Sequence, residues 1–321
     1  MKNDWPQHVT LIEVGPRDGF QFEKQTIPTA IKTEVVAGLV RAGLTHIQVV
    51  SFVHPARVPQ MADAEDLLNR LPQSGTVQYN GLVLNERGLE RALTAGLVSV
   101  EISVSASDTH SRRNTRMSFE EALEQGCRMV TTAKAAGLHV RAGVQCALGC
   151  VYEGEVAPAR VTKILTMFRD LGADAVVVSD TTGMGSPVSV QRLLDCLHPA
   201  IDPLPVILHL HDTRGTGLVN MMAGLEYGIS RFDTSLGGMG GCPFIPGAAG
   251  NIATEDAVYF LDTMGIATGV DLARVAECAL NWKRCFCLLY TSPSPRDSTL
   301  DRVCRLLLEK GGGGGGGGGG G

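Results

Sequence analysis

The triplet His209-Leu210-His211 closes an apolar run, Val206-Ile207-Leu208, and opens into the polar stretch Asp212-Thr213-Arg214. If the run is a strand, its period of two sends both imidazoles to one face and Leu208 and Leu210 to the other. Such a pair is either two core histidines satisfied by neighbours or half of a metal site. Oxygen donors at other apolar-run ends, Asp18, Asp180 and Asn251, favour the metal. Two nitrogens with several oxygens and open positions suit octahedral Mg²⁺ or Mn²⁺ better than structural zinc. Arg17 and Gln21 flank Asp18 in Gly15-Pro16-Arg17-Asp18-Gly19-Phe20-Gln21. That segment alone is compatible with an Asp-Gly turn and a solvated ion pair. Beside a metal, an arginine adjoining a ligating carboxylate can hold a developing oxyanion. The glycine-rich stretch from Gly237 to Asn251 carries Cys242 and reads as a lid whose thiol can donate or accept a proton at a cationic site. Glycine content alone would equally suit a phosphate loop or a plain connection. Cys146 and Cys150, in CALGC, lack two further ligands at zinc-finger spacing and are expected to pack at a barrel end.

Holding these groups together requires many strand ends at one place. Short β-branched runs recur at VTLIEV, THIQVVSF, TVQYNGLVL, LVSVEISVS, HVRAGVQCAL, ADAVVVSD, PVILHLHD and RFDTSLGG, with amphipathic stretches between them. Glycines at 43, 96, 137, 172 and 228 stand where each helical pattern should stop and turn back. Eight βα repeats predict an α/β fold, a closed (β/α)₈ TIM barrel with its site at the C-terminal strand ends, and no GxGxxG follows the first strand to argue for a doubly wound sheet. The segment LLYTSPSPRDSTL and the glycines at 311–321 break the pattern. A barrel domain over 1–284 and a foreign-looking, flexible tail over 285–321 are therefore expected.

Among 321 residues, 44% are hydrophobic and 19% charged, the balance of a folded globular chain. Lys+Arg 28 against Asp+Glu 33 gives a net charge of −5, with the basic residues scattered, which argues against nucleic acid as a partner. The start, MKNDWPQHVTLIEV, carries no export or targeting pattern and no apolar run reaches membrane-spanning length, so a cytoplasmic protein without a membrane partner is expected. Nine cysteines without such a signal are expected to be reduced thiols.

GPRDGFQ, SFVHPARVPQMADAE, QCALGCVYEGE, SDTTGMG, HLHDTRGTGL and GGMGGCPFIPGAAGNIATED, in this order, resemble the hydroxymethylglutaryl-CoA lyase family over about residues 9–280. The resemblance implies a metal-dependent barrel that cleaves 3-hydroxy-3-methylglutaryl-CoA to acetoacetate and acetyl-CoA in leucine degradation, with Mg²⁺ or Mn²⁺, as a homodimer. Carried over by motif, it makes Asp18, His209, His211 and Asn251 metal ligands, Arg17 the enolate stabiliser, Cys242 a lid acid and Asp180 a helper at the metal, with His211 or Asp180 as base. It places Gln21, Lys24, Gln48 and Ser51 on the substrate and CoA side. One departure stands out: the family carries Glu where this chain has Gln48. That neutral amide keeps a related substrate such as citramalyl-CoA open, and also a non-catalytic acyl-CoA-binding barrel. Claisen-type condensing enzymes share RDG and H-x-H, but their His-Asn-Asp continuation differs from His211-Asp212-Thr213 and they lack GGCP.

Overall fold

The structure, a computed structural model, describes residues 5–23, 25–72, 75–241 and 250–286. Parallel strands β1 (Thr10–Glu13), β2 (His46–Ser51), β3 (Gln78–Val83), β4 (Ser99–Ser105), β5 (His139–Gln145), β6 (Ala175–Asp180), β7 (Val206–Leu210) and β8 (Arg231–Thr234) pair in sequence order. β8 returns to β1 in the register Thr10↔Arg231 through Glu13↔Thr234, which closes the barrel as expected. Around it run α1 (Thr29–Arg41), α2 (Ala64–Arg70), α3 (Glu86–Thr94), α4 (Asp108–Thr115), α5 (Phe119–Ala135), α6 (Pro158–Asp170), α7 (Pro187–Ile201), α8 (Gly217–Glu226), α9 (Thr254–Thr263) and α10 (Leu272–Phe286). The expected domain boundary after residue 284 falls inside α10, and residues 287–321 lie outside the described residues. No helix among the described residues is long and apolar enough to cross a membrane.

The strands form because β-branched residues at alternate positions pack outward on the helices while the intervening residues fill the barrel. Leu208, Leu210, Phe232, Val176 and Val178 belong to the outer core under the helices. Ile12, Val14, Ala175, Val177 and Ile207 form a separate inner cluster, so the β1, β6 and β7 side of the lumen is apolar. The side formed by β2 to β5 is polar: Gln48, Asn80, Glu101 and Arg141 are buried and linked in a row, and Arg141 reaches across the lumen to the buried Asp233 on β8. Glycine ends the helices where expected; at Gly43 the left-handed φ of 98° and the adjacent Gly269 carbonyl leave no room for a side chain.

Cys146 and Cys150 are buried, and Cys150 Sγ donates to Ser107 Oγ at 3.1 Å, consistent with packing roles at the strand ends. Among the described residues, Cys127, Cys196 and Cys278 are free thiols.

Candidate active site

At the end of β1 the chain enters one π-helical turn, Gly15–Gly19, in which Arg17 N and Asp18 N both donate to Val14 O, at 3.0 and 2.7 Å. Glu13 anchors that turn from outside the lumen. Its Oε1 accepts from Gly15 N at 2.7 Å and Leu236 N at 2.9 Å, and its Oε2 accepts from Thr254 Oγ1 at 2.6 Å. One carboxylate thus ties the ends of β1 and β8 to the start of α9. The turn projects Arg17 and Asp18 inward, where Arg17 Nη1 donates to Asp18 Oδ1 at 2.5 Å and Arg17 Nε donates to Gln48 Oε1 at 2.5 Å.

Asp18, His209 and His211 present ligand atoms that all lie within 4.8 Å of one another, and all three are buried. The two histidine Nε2 atoms are 3.1 Å apart. That matches the edge of about 3 Å between adjacent ligands lying about 2.1 Å from an octahedral ion. His209 Nδ1 donates to Asp233 Oδ2 at 3.1 Å, which turns its Nε2 lone pair into the site. Asn251 is carried to the same spot by a bridge to His211, and its Nδ2 donates to Asp18 Oδ2 at 2.7 Å while its Oδ1 is buried with no hydrogen-bond partner. A carboxylate and two imidazoles with their ligand atoms converging, and an amide hydrogen-bonded to that carboxylate beside them, are a donor set that fits a divalent cation. Charge agrees: Asp18, Asp233 and Glu101 outnumber Arg17 and Arg141 among these connected side chains. Gly240 makes the approach possible, since at φ 117° a Cβ would lie 2.6 Å from Asn251 Nδ2 and 2.9 Å from Asp18 Oδ2.

Burial sets the protonation states here. Burial and the neighbouring His209 push His211 down to about 4, so it is neutral at ordinary pH. Burial would lower His209 too, but the hydrogen bond and charge of Asp233 outweigh it and raise the imidazole above its usual value. Burial opposes ionisation of Asp18, yet Arg17, His209, His211 and the Asn251 amide together hold it below the usual carboxylate range.

The open cleft above these groups is lined by Arg17, Asp18, Gln21, His209, His211 and Gly241 on one side and by Glu101, Ser103, Asn114 and Gln145 on the other. The structure therefore brings together Arg17, Asp18, Gln21, His209, His211 and Asn251. Three expectations take a different form. Asp180, buried at the end of β6, is not on the cleft wall; its two oxygens accept from Met184 N at 3.0 Å and Gly185 N at 2.9 Å, so it holds the β6–α7 turn, and burial pushes it up to about 6. Gln48 is fully buried behind Arg17 and does not line the cleft. Ser51 is likewise buried off the cleft wall. Lys24 and Cys242 lie outside the described residues, as does most of the expected lid, 242–249.

Sequence reasoning passed over Glu13, Asn80, Glu101, Arg141 and Asp233. Arg141 Nη2 meets both oxygens of Asp233, at 2.7 and 2.8 Å, and Glu101 Oε2 at 3.1 Å. The available signal was polar residues at alternate strand positions, Ser99-Val100-Glu101-Ile102-Ser103 and His139-Val140-Arg141, which mark an inward polar face without saying who meets whom.

The HMGL-like family model matches residues 8–280. The chain is 40% identical over 272 residues to the rat (Rattus norvegicus) cytoplasmic 3-hydroxy-3-methylglutaryl-CoA lyase, covering 85% of this chain and 79% of that protein. It is also 40% identical over 272 residues to the rat mitochondrial hydroxymethylglutaryl-CoA lyase, covering 85% and 84%. Among solved structures, the hydroxymethylglutaryl-CoA lyase of Pseudomonas aeruginosa superposes with a TM-score of 0.87 at 37% identity, over 95% of this chain and 99% of that one.

Proposed function

The chain belongs to the HMGL-like family, and from that premise we propose that it cleaves 3-hydroxy-3-methylglutaryl-CoA to acetoacetate and acetyl-CoA, as in leucine degradation, using Mg²⁺ or Mn²⁺. The observation that carries the reading is the convergence of Asp18, His209 and His211, with the Asn251 amide bonded to Asp18, beside Arg17 at the mouth of a closed barrel. Residues 1–284 form the lyase domain in this reading.

Cleavage removes the proton of the 3-hydroxyl, breaks C2–C3, leaves a ketone at C3 and puts the electron pair on C2 as a thioester enolate, which is then protonated. Asp18, His209, His211 and Asn251 would hold a divalent cation, which would supply the positive charge that lowers the pKa of a nearby 3-hydroxyl. Arg17 is pinned by Asp18 and Gln48 with its remaining N–H groups free to face the enolate oxygen. Of the two proton acceptors expected, His211 is neutral and on the cleft wall, whereas Asp180 is off that wall with its oxygens engaged by backbone. His211 Nε2 serves as ligand or as proton acceptor, one at a time. The family resemblance gives Cys242 the role of proton donor to C2 and Lys24 that of a CoA contact, and Gln21 contacts substrate from the cleft wall.

The test is acetoacetate and acetyl-CoA formation by the purified chain from 3-hydroxy-3-methylglutaryl-CoA. Turnover with Mg²⁺ or Mn²⁺, abolished by EDTA and by His211→Ala, is expected. Metal binding without any cleavage would replace the lyase by an acyl-CoA-binding barrel.

A further inference from the structure

Gln48 has both N–H groups and its carbonyl engaged. Oε1 accepts from Arg17 Nε, while Nε2 donates to Asn80 Oδ1 at 2.9 Å and to Glu101 Oε2 at 2.9 Å. Turning the amide over would set its oxygen against two acceptors and its NH₂ against a guanidinium N–H, so the neighbours fix its orientation. Of the two acceptors that hold Nε2, only Glu101 carries charge. It is buried on β4, and the same Oε2 lies 3.1 Å from Arg141 Nη2, whose bidentate partner Asp233 holds His209 Nδ1. Glu101 therefore stands at a junction, with one arm reaching Arg17 through an amide and the other reaching a histidine of the candidate metal set through an ion pair.

We propose that Glu101 is a positioning residue for Arg17: its carboxylate fixes the Gln48 amide, whose carbonyl fixes the guanidinium, and Gln48 and Glu101 act as one matched pair. A carboxylate at position 48 with Glu101 unchanged would bring two anionic oxygens to the 2.9 Å now spanned by a hydrogen bond. A carboxylate at 48 with an amide at 101 restores a donor facing an acceptor at that contact; Arg141, which gives up Oε2 of residue 101, keeps both oxygens of Asp233 as its anion. The Asn80 amide then turns to donate to residue 48, and the Ser99 hydroxyl, now accepting from Asn80 Nδ2 at 3.0 Å, reverses to donate. The kinetic arm of the test rests on the lyase reading above; the spectroscopic arm does not.

Wild type, Glu101→Gln, Gln48→Glu and the double variant are compared in kcat and KM for 3-hydroxy-3-methylglutaryl-CoA at saturating Mn²⁺, and by the NMR signal of the Arg17 Nε–H, assigned by its loss in Arg17→Lys. Gln48→Glu is expected to lose about tenfold or more in kcat, as when the support of a site group is removed, and Glu101→Gln, which keeps an acceptor toward Gln48 but not its charge, about threefold or more, with KM within about threefold in both. The double variant is expected to return to within about threefold of wild type in kcat. The Arg17 Nε–H signal should exchange slowly with water in wild type and the double variant and rapidly in the singles. A Glu101→Gln enzyme within twofold of wild type overturns the proposal, as does a double variant no better than the product of the singles. A change confined to KM would make Glu101 a substrate contact instead and also overturns it. A Gln48→Glu protein that unfolds and is restored by adding Glu101→Gln supports the pair; a double variant that stays unfolded refutes it. If wild type cleaves nothing, the lyase reading fails, and the exchange pattern alone decides this one.

Discussion

Replacing Asp233 by asparagine keeps the shape of the side chain and changes what it can accept. Asp233 is fully buried, takes Arg141 Nη2 on both oxygens at 2.7 and 2.8 Å, and takes His209 Nδ1 on Oδ2 at 3.1 Å. With an amide, one of those oxygens becomes an NH₂, so either Arg141 or His209 faces a donor. Breaking a buried ion pair costs about 3–5 kcal/mol, and the lower end applies because Arg141 keeps Glu101 at 3.1 Å. At about 2–4 °C per kcal/mol, the metal-free Tm should fall by roughly 6–12 °C. His209 also loses the group that raises its pKa and sets its tautomer. Loss of such support weakens metal binding by about 10–100-fold, or about 1.4–2.7 kcal/mol. Calorimetric titration with Mn²⁺ and differential scanning calorimetry in EDTA measure the two effects separately. An Asp233→Asn protein whose Mn²⁺ affinity stays within twofold of wild type would refute the argument that Asp233 orients His209 toward a cation, whatever happens to Tm.

Gly240→Ala should weaken Mn²⁺ binding by about tenfold or more while costing only about 1–2 kcal/mol of stability, because its Cβ would lie 2.6 Å from Asn251 Nδ2 and 2.9 Å from Asp18 Oδ2 and strain is confined to one residue; unchanged titration isotherms would count against the close approach. Burial pushes Glu255 from 4.5 up to about 7, with Gly237 N the donor to Oε2 at 3.0 Å and Oε1 unpartnered. The unfolded chain releases this proton near 4.5 and the folded chain holds it to about 7, so the group's stabilisation is complete below 4.5 and is lost as pH rises through that window, by roughly 3 kcal/mol in all. Glu255→Gln should flatten the urea-denaturation stability curve between those pH values by about that amount, and an unaltered slope would show that Glu255 is ionised in the fold.

The barrel and half of the site were legible because their signals are short-range. Alternation over five to eight residues marked the strands, and His209 and His211 are two residues apart, so a single strand aligns them. Asp18 and Asn251 were legible as strand-end polar residues, and the fold brings them within hydrogen-bond distance across 233 residues of sequence. Position at a strand end was not sufficient for Asp180: the following Thr181-Thr182-Gly183-Met184-Gly185 turn curls two backbone N–H groups onto its carboxylate, a local claim on the side chain that competes with the ion. Asp233 and Arg141, 92 residues apart, were illegible because nothing local distinguishes an inward charge that pairs from one that is solvated. Gln48 shows the limit most clearly. Read along the chain, it is a neutral amide where the family resemblance implies a carboxylate; read across the lumen, it is the link between Arg17 and a carboxylate on β4, one hydrogen bond away. A substitution inside a closed barrel is thus judged by its cross-lumen partner, and here that partner places a second anion, beyond the Asp18 that pairs directly with Arg17, one amide away from the guanidinium.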